Sequence, residues 1–340
     1  MNGDLNDRLL DVIRAASNTP ALVYARPPRP LTGGFWAELV AFSLADPPPG
    51  WPSDLVARLM PEAGTARKET IVQGAVAAAG FPTPAVRVTG GTDDGLGRAF
   101  MIMDLAPGGP LLSGLAGPGV VTEALRLARR IPDVLASTMA GLHALDPEPV
   151  RDLLRQAGTM PVTVPDLLGW LGDMAAGWQR PDLADSARWL LGHQRPASRD
   201  VICHGDLHPF NVLAHGGQVT VLDWTAALLA PPAYDLAYTA LMLAEPPLQV
   251  PAPARGLVRR VGRNLARRFV RRYEAHAGVT VGQDELAWHQ AAISLRALTE
   301  VAGWVHGGTI GDHADHPYLV SGRQIAARLR AVTGIPALPR

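Results

Sequence analysis

The chain carries a single cysteine, Cys203, no excess of either charge, and no apolar run long enough to span a bilayer. One thiol excludes an internal disulfide framework and a zinc site built from cysteines, and it suits a reducing cytoplasm. Lys and Arg together number 31, and so do Asp and Glu. No global field therefore draws the chain to nucleic acid or to an anionic membrane, and neither is an expected partner. A secretory signal is also lacking: MNGDLNDRLLDVIRAA is acidic early and places Leu5, Leu9, Val12 and Ile13 on one stripe. That pattern predicts a short amphipathic helix, and the expected location is the cytoplasm.

What is present is apolar residue in quantity, 47% of 340 positions, enough to bury a large core and to build two lobes. Over residues 1–104 short β-branched or apolar runs alternate with Gly and Pro punctuation. ALVYA, FWAELVAFSL, DLVARLM, AVRVTG and RAFMIMDL are the predicted strands. Between the third and fourth, ARKETIVQGAVAAAG repeats Ile71, Val72, Val76 and Ala79 at helical spacing, with Gly80 as its stop. Three strands, a helix and two strands make a small sheet backed by one helix.

After Leu105 the breakers APGGPL and GLAGPG mark a lobe boundary, and residues 105–340 read as mainly helical. Ile131, Leu135, Met139, Leu142 and Leu145 share one face of a core helix, which Pro132 permits only near its start. VICHGDLHPFNVLAHGGQVTVLDW interrupts the helices with a loop and two short β runs turning at His215, Gly216 and Gly217. Helical periodicity resumes from about Ala233.

The chemistry is concentrated in HGDLHPFN, residues 204–211, followed by Asp223 in VLDW. Asn211 opens one β run and Asp223 closes the next, so a hairpin turning at HGG returns the carboxylate beside the amide. Two oxygen ligands on one point suit a hard cation such as Mg2+, which keeps waters and completes its shell with substrate phosphates. Asp206 shares the loop without needing to touch the metal, which leaves its carboxylate to accept a proton from an attacking hydroxyl.

HGDLHPFN followed by LDW strongly resembles the catalytic and metal-binding segments of aminoglycoside phosphotransferases and their choline-kinase and protein-kinase-like relatives. The resemblance runs from roughly Leu31 to Ala244. It implies a bilobal protein-kinase-like α+β fold, with an antiparallel-sheet N-lobe over 1–104 and a larger helical C-lobe over 105–340. It implies Asp206 as catalytic base, His204 as a brace of the loop, and Asn211 and Asp223 as Mg2+ ligands. LTGGFWAEL resembles the glycine turn between the first two strands, where Gly33 and Gly34 let amides approach phosphate; a plain hairpin turn is the alternative. Arg58 occupies the place of the kinase lysine, with Glu69 as its ion-pair partner, and either contacts phosphate or mainly anchors Glu69. MIMDLAPGG resembles the hinge, so that groups near Asp104 and Leu105 bind the nucleotide base and Met103 lines its pocket. APPAYDLAY resembles the segment after the metal aspartate, with Asp235 bracing the catalytic loop.

The implied activity is transfer of the terminal phosphate of ATP or GTP to a hydroxyl. The resemblance also implies a nucleotide site in the cleft between lobes and an acceptor pocket built by the C-terminal helices. The leading acceptor is an antibiotic of aminoglycoside, nucleoside or macrolide type; a metabolic sugar, choline or amino-alcohol kinase is the alternative, and a non-catalytic nucleotide-binding regulator a third. His204, Asp206 and His208 also spell HxDxH, which with Asp312, His313, Asp315 or His316 suggests a metal-dependent hydrolase. That reading leaves Asn211, the hairpin and Asp223 unexplained. Arg255, Arg259, Arg263, Arg267 and Arg271 lie opposite Val258, Val261, Leu265 and Phe269, the pattern of a helix with an inward apolar face and solvated arginines.

Overall fold

The computed structural model describes residues 3–31, 37–111, 120–194, 199–245, 255–314 and 316–339. In chain order the elements begin with α1 (Gly3–Ser17), β1 (Val23–Leu31), β2 (Glu38–Ala45), β3 (Asp54–Met60), α2 (Ala63–Ala78), β4 (Val86–Gly90), β5 (Ala99–Asp104) and β6 (Gly109–Pro110). There follow α3 (Val120–His143), α4 (Glu148–Gln156), α5 (Val164–Gly177), α6 (Pro181–Gly192), β7 (Val201–Cys203), β8 (Val212–His215), β9 (Gln218–Val221) and β10 (Leu228–Ala230). The remainder is helical: α7 (Ala233–Ala244), α8 (Arg255–Ala277), α9 (Gln283–His306), a 3-10 turn at Ile310–His313, α10 (Pro317–Val320) and α11 (Gly322–Thr333). The chain forms two compact units: Met1–Ser113 with Glu148–Met160 and Phe210–Ala227, and Gly114–Pro147 with Pro161–Pro209 and Leu228–Arg340.

The first unit is built on a five-stranded sheet in the order β1-β2-β3-β5-β4, antiparallel at every step. Alternation along the strands sends successive side chains to opposite faces. Val40, Phe42, Leu44, Leu55, Leu59, Phe100 and Ile102 form one apolar layer with Leu9, Leu10 and Ile13 of α1. Ala41, Val56, Met60, Met101 and Met103 form the other, with Ala66 of α2. Both faces are therefore covered, where the sequence reading supplied a single backing helix. The amphipathic N-terminal stripe is what covers the second face, and burial contributes roughly 1.5–3 kcal/mol for each large side chain enclosed. β1 runs on through Pro27, Pro28 and Pro30, with register shifts against β2. Prolines are tolerated because β1 is an edge strand and owes hydrogen bonds to one neighbour only.

The same unit holds the β8–β9 hairpin, in which Val212 faces Val221 and His215 faces Gln218. Gly216 and Gly217 make the turn at φ 56° and 87°. Two successive left-handed residues match the strand twist, and glycine adopts them without steric cost.

In the second unit, helices α5, α6, α7, α9 and α11 enclose a core that includes Leu168, Leu171, Leu190, Tyr234, Leu295, Leu298 and Leu329. A capping box starts α5: Thr163 accepts from the Asp166 amide, and Asp166 accepts from the Thr163 amide at 2.8 Å. Pro132 lies inside α3, not near its start as expected. The cost of about 3 kcal/mol for an interior proline is offset by the buried stripe of Ile131, Leu135, Met139 and Leu142. On α8, Phe269 and Tyr273 are buried while Arg259, Arg263, Arg267 and Arg271 are exposed. Val261, expected on the apolar face, is 43% exposed, because the inward stripe runs through Gly262, Ala266, Phe269 and Tyr273. No helix among the described residues is long and apolar enough to cross a membrane.

Candidate functional site

In the first unit the alternation of β3 turns Arg58 toward α2, on the same face as Val56 and Met60. Arg58 is 6% exposed and Glu69 of α2 is 1% exposed. The Arg58 Nε lies 3.2 Å from Glu69 Oε1, while Nη2 lies 3.2 Å from Asp223 Oδ1 and donates to Thr225 Oγ1 at 3.1 Å. One guanidinium thus spans two carboxylates, the use for which its rigid fork is suited and a lysine ammonium is not. Burial pushes the Glu69 carboxyl up to about 7; Arg58 opposes the shift and Asp223 adds to it.

The hairpin positions the other members. Leu222 donates its amide to the Asn211 carbonyl at 2.9 Å, so Asp223 follows directly on the residue paired with Asn211. Asp223 has φ 66°, a left-handed conformation that aspartate tolerates better than most side chains. The Thr225 hydroxyl lies 2.5 Å from Asp223 Oδ1. Trp224 is fully buried against Phe81, its ring nitrogen donating to Thr83 at 2.9 Å. This anchors the strand end on which Asp223 is carried.

Of the residues expected at the hinge, Met103 is 9% exposed and its sulfur receives the Gln73 side-chain amide at 3.3 Å. Asp104 is held by Arg87 through two bonds of 2.7 and 2.8 Å. The Asp104 and Leu105 amides donate to the carbonyls of Ala85 and Asp54, both at 3.1 Å. Gly33, Gly34 and Asp315 lie outside the described residues.

In the second unit the loop after β7 is held from several directions. Asp235, near the start of α7 and 1% exposed, accepts the amides of His204 at 2.8 Å and Gly205 at 2.7 Å. The His204 ring is fully buried, and its Nδ1 accepts the Asp206 amide at 3.2 Å. Thr239, one turn along α7, donates to the Leu207 carbonyl at 2.6 Å. From α9, Arg296 donates to the Gly205 carbonyl at 3.2 Å. Behind Asp235, His143 Nε2 lies 3.1 Å from its Oδ2, and His143 Nδ1 lies 2.8 Å from the Tyr273 hydroxyl. The backbone that carries Asp206 is fixed by buried hydrogen bonds, each worth about 1 kcal/mol net and more where a carboxylate accepts.

The side chain of Asp206 lies 3.7 Å from His208 Nε2 and takes a hydrogen bond from the Tyr238 phenol, which burial and the Asp206 charge hold in its neutral form. Arg296 and Glu300, one turn apart on α9, and Tyr318 all lie within the electrostatic reach of Asp206. Burial pushes Glu300 up to about 7, against the pull of Arg296 and with the help of Asp206.

Among the described residues the one group with metal-ligand clustering is His143, Cys203 and Asp235, not HxDxH. Its donors are committed elsewhere: His143 to Tyr273 and Asp235, Asp235 to two amides, and the Cys203 thiol, which burial keeps protonated, to the Ala230 carbonyl. The sequence reading named the motif residues but missed Thr225, Tyr238, Thr239, Arg296 and Glu300. Thr225 could have been suspected from its place two residues after Asp223. The α7 and α9 residues give no signal, since a polar residue on a helix does not announce which neighbour it faces.

A model of the phosphotransferase enzyme family matches residues 41–276. No curated protein sequence matches the chain. Among solved structures it is similar to a protein of Ralstonia eutropha JMP134 provisionally classed as an aminoglycoside phosphotransferase, at 20% identity and a TM-score of 0.67 over 97% of each chain. It is similar to a thermostable mutant of aminoglycoside phosphotransferase APH(4)-Ia in ternary complex with ADP and hygromycin B, at 19% identity and a TM-score of 0.60 over 98% of this chain and 99% of that one. A third is macrolide 2'-phosphotransferase type I, at 17% identity and a TM-score of 0.54 over 97% of each. At these identities the likeness is one of fold.

Proposed function

The chain belongs to the phosphotransferase enzyme family, and from that premise we propose that it transfers the terminal phosphate of ATP or GTP to a hydroxyl of a small molecule, an antibiotic inactivated in resistance or self-protection. The observation that carries this reading is the hairpin that sets Asp223 directly after the residue bonded to Asn211, with Arg58 and Thr225 gathered on the Asp223 carboxylate and Glu69 paired with Arg58.

In this mechanism Asp206 orients the acceptor hydroxyl and takes its proton as the oxygen attacks the terminal phosphorus. The new oxygen–phosphorus bond replaces the bond to the leaving nucleoside diphosphate. Asp235, His204, Thr239 and Arg296 hold the loop backbone, so Asp206 needs little reorganisation on the way to the transition state. Asn211 and Asp223 offer oxygen donors, with no thiolate or imidazole in the set, which fits Mg2+. When bound, Mg2+ neutralises phosphate charge. Arg58 holds Asp223 through its guanidinium fork and pairs with Glu69, and Met103 lines the pocket for the base. With the Asp104 and Leu105 amides already donating within the sheet, other backbone groups of the hinge read the base edge.

Replacing Asp206 by Asn tests the assignment. Phosphate transfer, followed as a mass shift of the acceptor, should fall by about 10²–10⁴-fold, the usual range for a general base, with nucleotide binding largely retained. Unchanged turnover would remove Asp206 from the chemistry.

A further inference from the structure

Helices α7, α9, α10 and α11 enclose a cavity of about 60 Å³ that opens to solvent. A space of that size holds roughly four waters or the end of an aliphatic group. Its walls include Leu241, Met242, Ile293, Ala297 and the rings of Tyr238 and Tyr318. The charged side chains that line it are Glu245 and Arg328, paired with each other at 2.9 Å, so the cavity presents no net charge. Ser294 and Ser321 add hydroxyls to a lining that is otherwise mostly apolar, so a polar ligand would find few partners on these walls, whereas an apolar one loses only water.

This cavity is tied to the reacting end of the second unit. Tyr238 lends its ring to the cavity and its hydroxyl to Asp206. Tyr318 likewise lines the cavity and lies within the field of Asp206. The ionisable groups around Asp206 point to the same kind of ligand. Arg296 lies within the electrostatic reach of both Asp206 and Glu300, which offsets part of the negative field that a polycation would need. His313 and His316 are stacked or edge-packed on Trp304, adding aromatic rather than anionic surface.

We propose that the cavity seats an apolar substituent of the phosphate acceptor, and that the acceptor is a predominantly apolar alcohol bearing at most one positive charge. This rests on the phosphotransferase reading above and narrows it: the polycationic aminoglycosides are not the substrates of this chain. The aliphatic end of the acceptor enters between Met242 and Ile293, and its hydroxyl is delivered to Asp206 beside Tyr238.

The test is calorimetric binding of a macrolide, a steroid alcohol and a terpene alcohol to the full chain, against kanamycin and hygromycin B, followed by phosphate transfer to the same compounds with ATP and GTP. Met242→Trp, which fills the cavity from a half-buried wall, and Leu241→Asp, which places a charge in it, are measured in parallel, with nucleotide binding as the control for folding. The expected result is that at least one apolar alcohol binds and is phosphorylated, that both variants weaken its binding at least tenfold, and that the polycations bind worse. Tight binding of kanamycin or hygromycin B overturns the proposal. So does the absence of binding by every apolar alcohol, or binding that either folded variant leaves unchanged. Phosphate transfer to a polycation alone sinks the cavity assignment and leaves phosphotransfer standing. Binding of an apolar alcohol with no transfer under any condition sinks phosphotransfer, and with it the role of the cavity as an acceptor seat.

Discussion

His289 of α9 is 3% exposed, packed edge-on against Tyr234 and Trp288, and its Nδ1 meets no hydrogen-bond partner among the described residues. Burial pushes its pKa down from 6.5 to about 4. The unfolded chain therefore takes up this proton near pH 6.5 while the folded chain resists until about pH 4. The stabilising contribution is present above pH 6.5 and is lost as the pH falls toward 4. Glu69, raised to about 7, acts with the opposite sign: its contribution is lost as pH rises from the unfolded value of 4.5 toward 7. Comparing wild type with His289→Leu isolates the histidine. On going from pH 7 to pH 5 the wild type should lose about 2 kcal/mol relative to the variant, measured by urea denaturation at both pH values. Parallel losses in the two proteins would show that His289 is not held neutral. At this scale the sequence was informative where a motif is written in consecutive residues, as in residues 204–211, and silent where it is not. Nothing in the local sequence marks His289, Arg296 or Glu300, because their significance comes from partners far along the chain.

At the scale of elements, pattern carried further. Strand alternation and helical spacing located β2, β3, β4, β5 and α2, and the Gly216–Gly217 turn followed from the backbone freedom of glycine. Close approaches between elements are harder to read. A Cβ on Gly262 of α8 would lie 2.5 Å from the Leu243 carbonyl oxygen and 2.7 Å from that of Ala244, at the end of α7. Backbone atoms cannot swing aside as a side chain can. Gly262→Ala should therefore destabilise the protein by about 1–3 kcal/mol through overpacking, despite the better helix propensity of alanine. Gly141 of α3 has open space around it, and Gly141→Ala should stabilise by up to about 1 kcal/mol. Thermal melts of the two variants test the contrast; a Gly262→Ala variant as stable as the wild type, or more so, would show that α8 can move away from α7 without cost. Pro132 teaches the converse lesson: propensity argued for a boundary, and the burial of one helix face overrode it.

For the whole molecule, ligand binding should appear as stability by mass action. A nucleotide with Mg2+ at about a hundred times its dissociation constant adds about 2.7 kcal/mol, a rise of several degrees in Tm. Chelation of the metal should remove most of that rise, and Asp223→Ala should show little of it at the same concentrations. A melt insensitive to chelation would mean that nucleotide binding does not depend on a cation. The sequence alone determined the family, the strand and helix order of the first hundred residues, and the motif HGDLHPFN with LDW, because each is written in neighbouring residues or in a short-period pattern. Tertiary structure decided that α1 closes the second face of the sheet, that Arg58 spans Glu69 and Asp223, and that α7 and α9 supply Tyr238, Thr239 and Arg296 to the loop of Asp206. These pairings join positions tens to hundreds of residues apart. They are selected by the burial of apolar faces and the need to satisfy buried polar groups, and no local stretch of sequence contains that information.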